Sequence, residues 1–235
     1  MSPRRVFTEA RAAILESSGS ELAGPFVKAF PVDGAAISVL AGPATGLTVS
    51  ASDAVATRLD ELQFDLGEGP CWSALAHRLP VLMDTRVGGE EWPAFTEAVS
   101  SDAITDRVGA MFAFPLAIGA LDIGAIDLYS GDTRPLSPEL VAEASSLADI
   151  AAWRVLRTIM EDHSQPYDAA SIGFSRREVH QATGMIIVQL GVTAEDADLL
   201  LRAHAFAAGR TVREIAKDVV DRRLDFASGG GGVTS

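Results

Sequence analysis

The sequence predicts an α+β protein: an N-terminal antiparallel sheet flanked by helices, a long connecting helix, and a C-terminal all-α bundle of three helices. Three observations carry this expectation. Strand-like pairs stand at both ends of residues 34–130 with helical segments between them, an order unlike a regular βαβ repeat. A capped, apolar-striped segment fills residues 135–162. Three helix starts then crowd into residues 175–226 behind a polar linker.

Residues 4–30 carry Val6, Phe7, Ala10, Ala13 and Ile14 at helical spacing. "GAAISVLA" (34–41) and "LTVSAS" (47–52) read as strands around a Gly42-Pro43 turn. A short helix is expected over 53–63. "GEGPCWSALAH" (67–77) reads as a glycine-rich turn into a helix with Pro70 at its first position. A strand at 80–84, a helix at 92–102 and strands at 108–118 and 122–130 complete the sheet region. Over 135–162, Ser137 is the expected N-cap and Pro138 the first helical residue. Val141, Ala144, Ala148, Ala151, Val155 and Ile159 form one stripe there, widened by Leu140 and Leu147. That helix exceeds what covering a sheet requires, so its surplus predicts a partner helix and a homodimer; a mere connector is the alternative. Capping boxes at Ser175–Glu178 and Thr211–Glu214, an N-cap at Thr193, and helix stops at Gly191 and Gly209 outline the bundle. The expected domains are 1–163 and 174–226, joined by a linker at 164–173 and followed by a disordered tail at 227–235.

The 235 residues carry a net charge of −13, which argues against general affinity for nucleic acid. The charge is uneven. Residues 1–165 hold 11 basic and 23 acidic side chains, whereas residues 166–235 hold 8 and 9. An anionic partner would therefore meet the second part. Val108–Leu121, the longest apolar run, is too short and too interrupted by Pro115 to span a membrane. Charges at Arg4, Arg5, Glu9, Arg11 and Glu16 leave no signal-peptide core. Cys71 alone forms neither an internal disulfide nor a cysteine-rich zinc site. A cytoplasmic location without membrane attachment is expected.

No catalytic constellation stands out. The chain lacks G-x-x-x-x-G-K and G-x-S-x-G, and His77, His163, His180 and His204 show no metal-ligand spacing. No enzyme activity and no metal site are predicted. "GEGPC" admits two readings. Cys71 at a helix N-terminus would have a lowered thiol pKa, and the N–H groups of Gly67 and Gly69 would face an anion. Alternatively, Cys71 is a small buried hydrophobe at a tight helix entry, which is the preferred reading.

"LQFDLGEGPC" (62–71), "WPAF" (92–95), "FAFPLAIG" (112–119) and "DIGAIDLYS" (122–130) resemble the GAF sensor domains of actinobacterial regulators. "HQATGMIIVQLGVTAEDADLLLRAHAFAAGRTVREIAKDVV" is similar to the ANTAR domain, a three-helix RNA-binding module of transcription antiterminators. Ala182, Gly184, Gly191, Ala197, Leu201, Arg202, Ala205 and the Thr211 capping box carry that resemblance. It implies a regulator whose GAF domain senses a signal while its ANTAR domain binds hairpins in nascent RNA. A protein-interaction module that dimerises without RNA is the alternative. The cofactor is left unknown. For the sensor, a small-molecule cavity is expected between the sheet and helices 67–77 and 92–102. Its lining would be Cys71, Trp72, Met111, Phe112, Phe114, Asp127 and Tyr129; a filled interior is the other possibility.

Gly184 poses a question of its own, since glycine costs a helix interior roughly 1 kcal/mol relative to alanine. From Ala182 to Leu190 the segment is apolar almost all round, which predicts burial on several sides and a close helix approach at Gly184. Thr183 stands where many ANTAR domains carry lysine, so one phosphate contact is lost and only a neutral hydrogen bond is offered. The expected RNA face lies elsewhere. It comprises Arg202 and Phe206 one turn apart, Arg213 and Lys217 on one face, Arg210 before its cap, and Arg176 and Arg177 at the first helix's start; Thr183 is added only through the hydrogen bond it offers at the family's lysine position. Pairing of these cations with Asp198, Glu214 or Asp218 is the competing expectation.

Overall fold

A computed structural model describes residues 3–17, 19–40, 46–85, 90–162 and 177–227. Its contacts divide the chain into two compact units, 1–175 and 176–235. The Gly42-Pro43 turn, the linker 164–173, the Ser175 cap and all but the first residue of the expected tail lie outside the described residues.

In the first unit, α1 (Pro3–Glu16) and α2 (Gly24–Ala29) precede strands β1 (Gly34–Leu40) and β2 (Gly46–Ala51). Helices α3 (Ala54–Leu66) and α4 (Pro70–His77) lead to β3 (Val81–Asp84), α5 (Pro93–Ser101), β4 (Ala110–Ile118), β5 (Leu121–Ser130) and the long α6 (Pro138–Asp162). The five strands lie in the order β2-β1-β5-β4-β3, with every neighbouring pair antiparallel. The two hairpins expected from the sequence are joined in the middle, where Ile37 pairs with Ile126. The helical stretch expected over 4–30 is divided: α1 ends at Glu16, and α2 starts at Gly24 with Pro25 in its first turn.

Successive strand residues face opposite sides of the sheet. On one side Ile37, Phe112, Phe114, Ile126 and Leu128 pack under α1, α2 and α6, against Ile14, Phe26, Leu147, Ala151 and Val155. On the other, Ala36, Met83, Met111 and Tyr129 meet Leu59 of α3 and Phe95 of α5. Leu40, Ala125, Phe64 and Cys71 continue this second layer under α4. The expectation that Phe112 and Phe114 line the same chamber as Met111 is therefore corrected: alternation turns them into the opposite layer.

Helix α6 spans 25 residues, roughly 37 Å at 1.5 Å per residue. Ser137 caps it, its hydroxyl accepting from Leu140 N–H. The apolar stripe is buried at Ala144, Ala148, Ala151 and Val155, while Trp153 and Met160 remain 63% and 66% exposed.

The second unit consists of α7 (Arg177–Leu190), α8 (Ala194–Ala208) and α9 (Val212–Val220). Thr193 caps α8 and Gly209 ends it in the left-handed conformation. Thr211 and Glu214 form the expected capping box of α9. Val179, Ala182, Ile186, Leu201, Ile215 and Val219 are among the residues of the bundle core. Helix α7 is buried along this one stripe only. Val188 is 85% exposed, and a Cβ built on Gly184 meets nothing within 4 Å outside its own helix backbone. The expected all-round burial of α7 and the helix approach at Gly184 are thus corrected. Three helices offer too little surface to cover more than one stripe of each.

Candidate functional sites

The GEGP turn wraps around one side chain, Gln63. Gly67 ends α3 at φ 69°, its N–H donating to Gln63 O at 2.9 Å. Glu68 Oε1 accepts from Phe95 N–H at 2.7 Å, serving the first turn of α5. Gly69 sits at φ 133°, where a Cβ would lie 2.7 Å from Gln63 Cγ, so only glycine fits. Pro70 then opens α4.

Gln63 is fully buried and uses both ends of its amide. Its Nε2 donates to Asp127 Oδ2 at 2.7 Å, and its Oε1 accepts from Cys71 N–H at 2.9 Å. Trp72 Nε1 donates to Gln63 O at 2.9 Å. One residue thereby ties α3, α4 and β5 together. The backbone donors at Gly67 and Cys71 are spent on Gln63 and do not present themselves to an external anion.

Beside Gln63, the carboxyls of Asp60 and Asp127 meet. Ser38 Oγ and Thr48 Oγ1 both donate to Asp60 Oδ2, the latter at 2.8 Å. The Oδ1 atoms of the two aspartates are buried with no hydrogen-bond partner of the ordinary donor–acceptor kind, and the two side chains interact with each other. Two interacting carboxylates in a dry interior do not both stay ionised, so the pair favours holding a proton. Burial pushes Asp60 up to about 6, and burial followed by the Asp60 charge pushes Asp127 well above the usual carboxylate range.

Cys71 is fully buried. Its thiol is raised well above its usual range, first by burial and then by Asp127 and Asp60. The lowered thiol pKa considered for a helix N-terminus is overturned, and the buried-hydrophobe reading holds. Tyr129 donates to Asp53 Oδ1 at 3.1 Å, and burial followed by Asp53 pushes its phenol up to about 12. Cys71, Trp72, Met111, Asp127 and Tyr129 therefore lie on the α3–α5 side of the sheet, and Phe112 and Phe114 do not. Sequence reasoning missed Ser38, Thr48, Asp60 and Gln63. The available signal was a carboxylate and an amide among the apolar positions of α3.

In the second unit the expected RNA face separates into unlike groups. Arg202 Nε lies 2.5 Å from Asp198 Oδ2, with the side chains only 16% and 6% exposed. This is an internal ion pair. Arg210 pairs with Asp218 at 2.7 Å, and Arg213 approaches Glu178 of α7 at 3.8 Å while staying half exposed. Thr183 Oγ1 donates back to Val179 O at 2.9 Å. Lys217 is exposed and makes no ion pair among the described residues, and Phe206 is 86% exposed. Arg176 and the Arg177 side chain lie outside the described residues. Among the described residues no group of three or more His, Cys, Asp or Glu could hold a metal ion, and no helix is long and apolar enough to cross a membrane.

With this geometry in place, comparisons with known proteins add two findings. Residues 175–220 match the ANTAR domain family. The fold of the first unit is shared with GAF domains at low identity. A GAF domain of a phosphoenolpyruvate-protein phosphotransferase from Coxiella burnetii aligns at TM-score 0.53 and 10% identity, over 68% of this chain and 96% of that one. Its counterpart from Acinetobacter aligns at TM-score 0.51 and 11% identity, over 71% and 98%. Free methionine-R-sulfoxide reductase from Neisseria meningitidis, solved with its substrate, aligns at TM-score 0.50 and 13% identity, over 68% and 91%. These likenesses establish the fold alone. No curated protein matches the chain.

Proposed function

We propose that this chain, a GAF-like fold joined to an ANTAR domain, is an RNA-binding antitermination regulator of the actinobacterial type. The GAF-like unit biases the ANTAR unit, which binds hairpins in nascent RNA and keeps a terminator from forming. The observation that carries this reading is the ANTAR match over 175–220. It falls on the part of the chain relieved of the acidic excess, where Arg213 and Lys217 are exposed on one face. The chemistry on offer is electrostatic contact with phosphates together with an exposed ring, Phe206, suited to stacking on an unpaired base.

The protein acts as a homodimer in this reading. Leu15 of α1 with Trp153, Leu156 and Met160 of α6 lines an apolar depression of about 510 Å³. A second copy of the same surface would cover it. A small organic ligand or a proton acting on the α3–α5 side of the sheet would be the signal, and the cytoplasm, where nascent RNA is made, the location. Binding of the full chain to structured RNA over a salt series tests the reading. Each phosphate contact contributes roughly −0.7 to −0.9 to the slope of log K against log salt. Steep weakening with salt is expected; absence of binding at low salt would leave only the protein-interaction alternative.

A further inference from the structure

Gly184 sits in the middle of α7, where alanine would favour the helix. No packing explains it, because a side chain there would enter open space. Its φ is not in the left-handed range that calls for glycine. A glycine here leaves a stretch of helix backbone bare and open to a ligand, at a cost in helix stability that no packing contact returns.

The bare backbone at Gly184 forms part of a groove of about 530 Å³ between α7 and the turn that follows α9. Met185, Val188 and Leu224 supply apolar surface, and Gln181, Gln189, Arg222 and Asp225 supply polar groups. Gln189 Oε1 accepts from Phe226 N–H, which fixes the amide and leaves its NH2 as a donor. Arg222 is held in the left-handed conformation at φ 57° and makes no ion pair among the described residues. A flat, side-chain-free patch of helix flanked by apolar groups accepts a planar ring. Amide and carboxylate groups beside it match the mixed donors and acceptors of a base edge, and an unpaired guanidinium suits the adjoining phosphate.

We propose that this groove seats one unpaired RNA base, with Gly184 as its floor and Arg222 as its phosphate contact. The inference rests on the RNA-binding reading and relocates its specificity. Base recognition belongs to α7 and the post-α9 turn, while Arg213 and Lys217 supply sequence-independent attraction.

The test uses the full chain and a pool of RNA stem-loops with randomised loops, from which wild-type binders are selected. Gly184→Ala should raise the thermal midpoint of the second unit, and Gly184→Leu should leave it no lower. Gly184→Leu and Arg222→Ala should each weaken the selected hairpins by about tenfold or more, the scale of one seated base. Replacing single loop nucleotides by abasic residues should identify one position whose loss is silent in Gly184→Leu. Equal binding by wild type and Gly184→Leu overturns the groove while leaving RNA binding intact. Failure of the wild type to select any hairpin at low salt overturns both. A change of oligomeric state in Gly184→Leu with unaltered RNA affinity would assign the groove to protein contact and overturn the proposal.

Discussion

Asp60 on α3 and Asp127 on β5 meet in a fully buried interior, each with its Oδ1 unmatched by any ordinary hydrogen-bond partner. Everything else around them is satisfied: Ser38 and Thr48 serve Asp60, and Gln63 serves Asp127. The pair makes the stability of the first unit depend on pH in a direction opposite to ordinary surface carboxylates. Both groups are raised in the folded state. Their contribution is therefore complete below the unfolded value near 3.8 and is lost as pH rises through about 6 and beyond.

Urea midpoints of the first unit should fall between pH 4.5 and pH 8. The Asp60 shift alone, from 3.8 to about 6, corresponds to about 3 kcal/mol in full, of which about 2 kcal/mol falls within this pH window. Asp127→Asn supplies an N–H2 to the unmatched Asp60 Oδ1 while its carbonyl still accepts from Gln63. That variant should flatten the pH profile and be the more stable protein at pH 8. Denaturation of both proteins across the pH series decides it.

Gln63→Leu should destabilise the first unit by about 2–4 kcal/mol, because it leaves Asp127 Oδ2 and Cys71 N–H buried without partners. Thermal or urea unfolding reads this directly. Gln63→Glu should be comparably harmful, since it adds a third carboxyl to the same interior.

The Cys71 thiol should resist a water-soluble disulfide reagent at pH 8 in the folded protein and react only as fast as the unit opens. Cys71→Ser should leave RNA affinity unchanged. A fast native-state reaction would return the thiol to the list of signal receivers.

Arg202 and Lys217 should separate stability from binding. Arg202→Ala strands the buried Asp198 carboxylate and should cost the bundle about 2–4 kcal/mol, so its effect on RNA follows from lost folding. Lys217→Ala should leave helicity and melting unchanged and lower the salt slope by roughly 0.7–0.9. Circular dichroism alongside a binding series distinguishes the two.

The strands, helix caps and three-helix bundle were legible because each rests on local signals: alternation, Ser137 and Thr193 caps, the Thr211–Glu214 box, Gly209 as a stop. Less local facts were not. "TRLDELQF" reads as an ordinary amphipathic helix, and Asp60 becomes special only when β1, β2 and β5 close over it. Met111, Phe112 and Phe114 are close neighbours in sequence, yet strand alternation sends Met111 to one layer and the two phenylalanines to the other. Gly184 shows the converse limit. Its cost is visible in the sequence, but whether a neighbour or open space lies opposite depends on where α8 and α9 pack. For Arg202 the sequence leaves both an RNA contact and pairing with Asp198 open, and the burial of the two side chains together selects the pairing.

The proposed role in RNA recognition is tested most directly by crosslinking the full chain to RNA in its native cells and sequencing what is recovered. Leader transcripts carrying hairpins that compete with a terminator should be enriched, with crosslinks in loop nucleotides and depletion of those sites in Gly184→Leu. Recovery of RNA without hairpin or leader preference, identical for the wild type and a chain lacking residues 177–227, would contradict it.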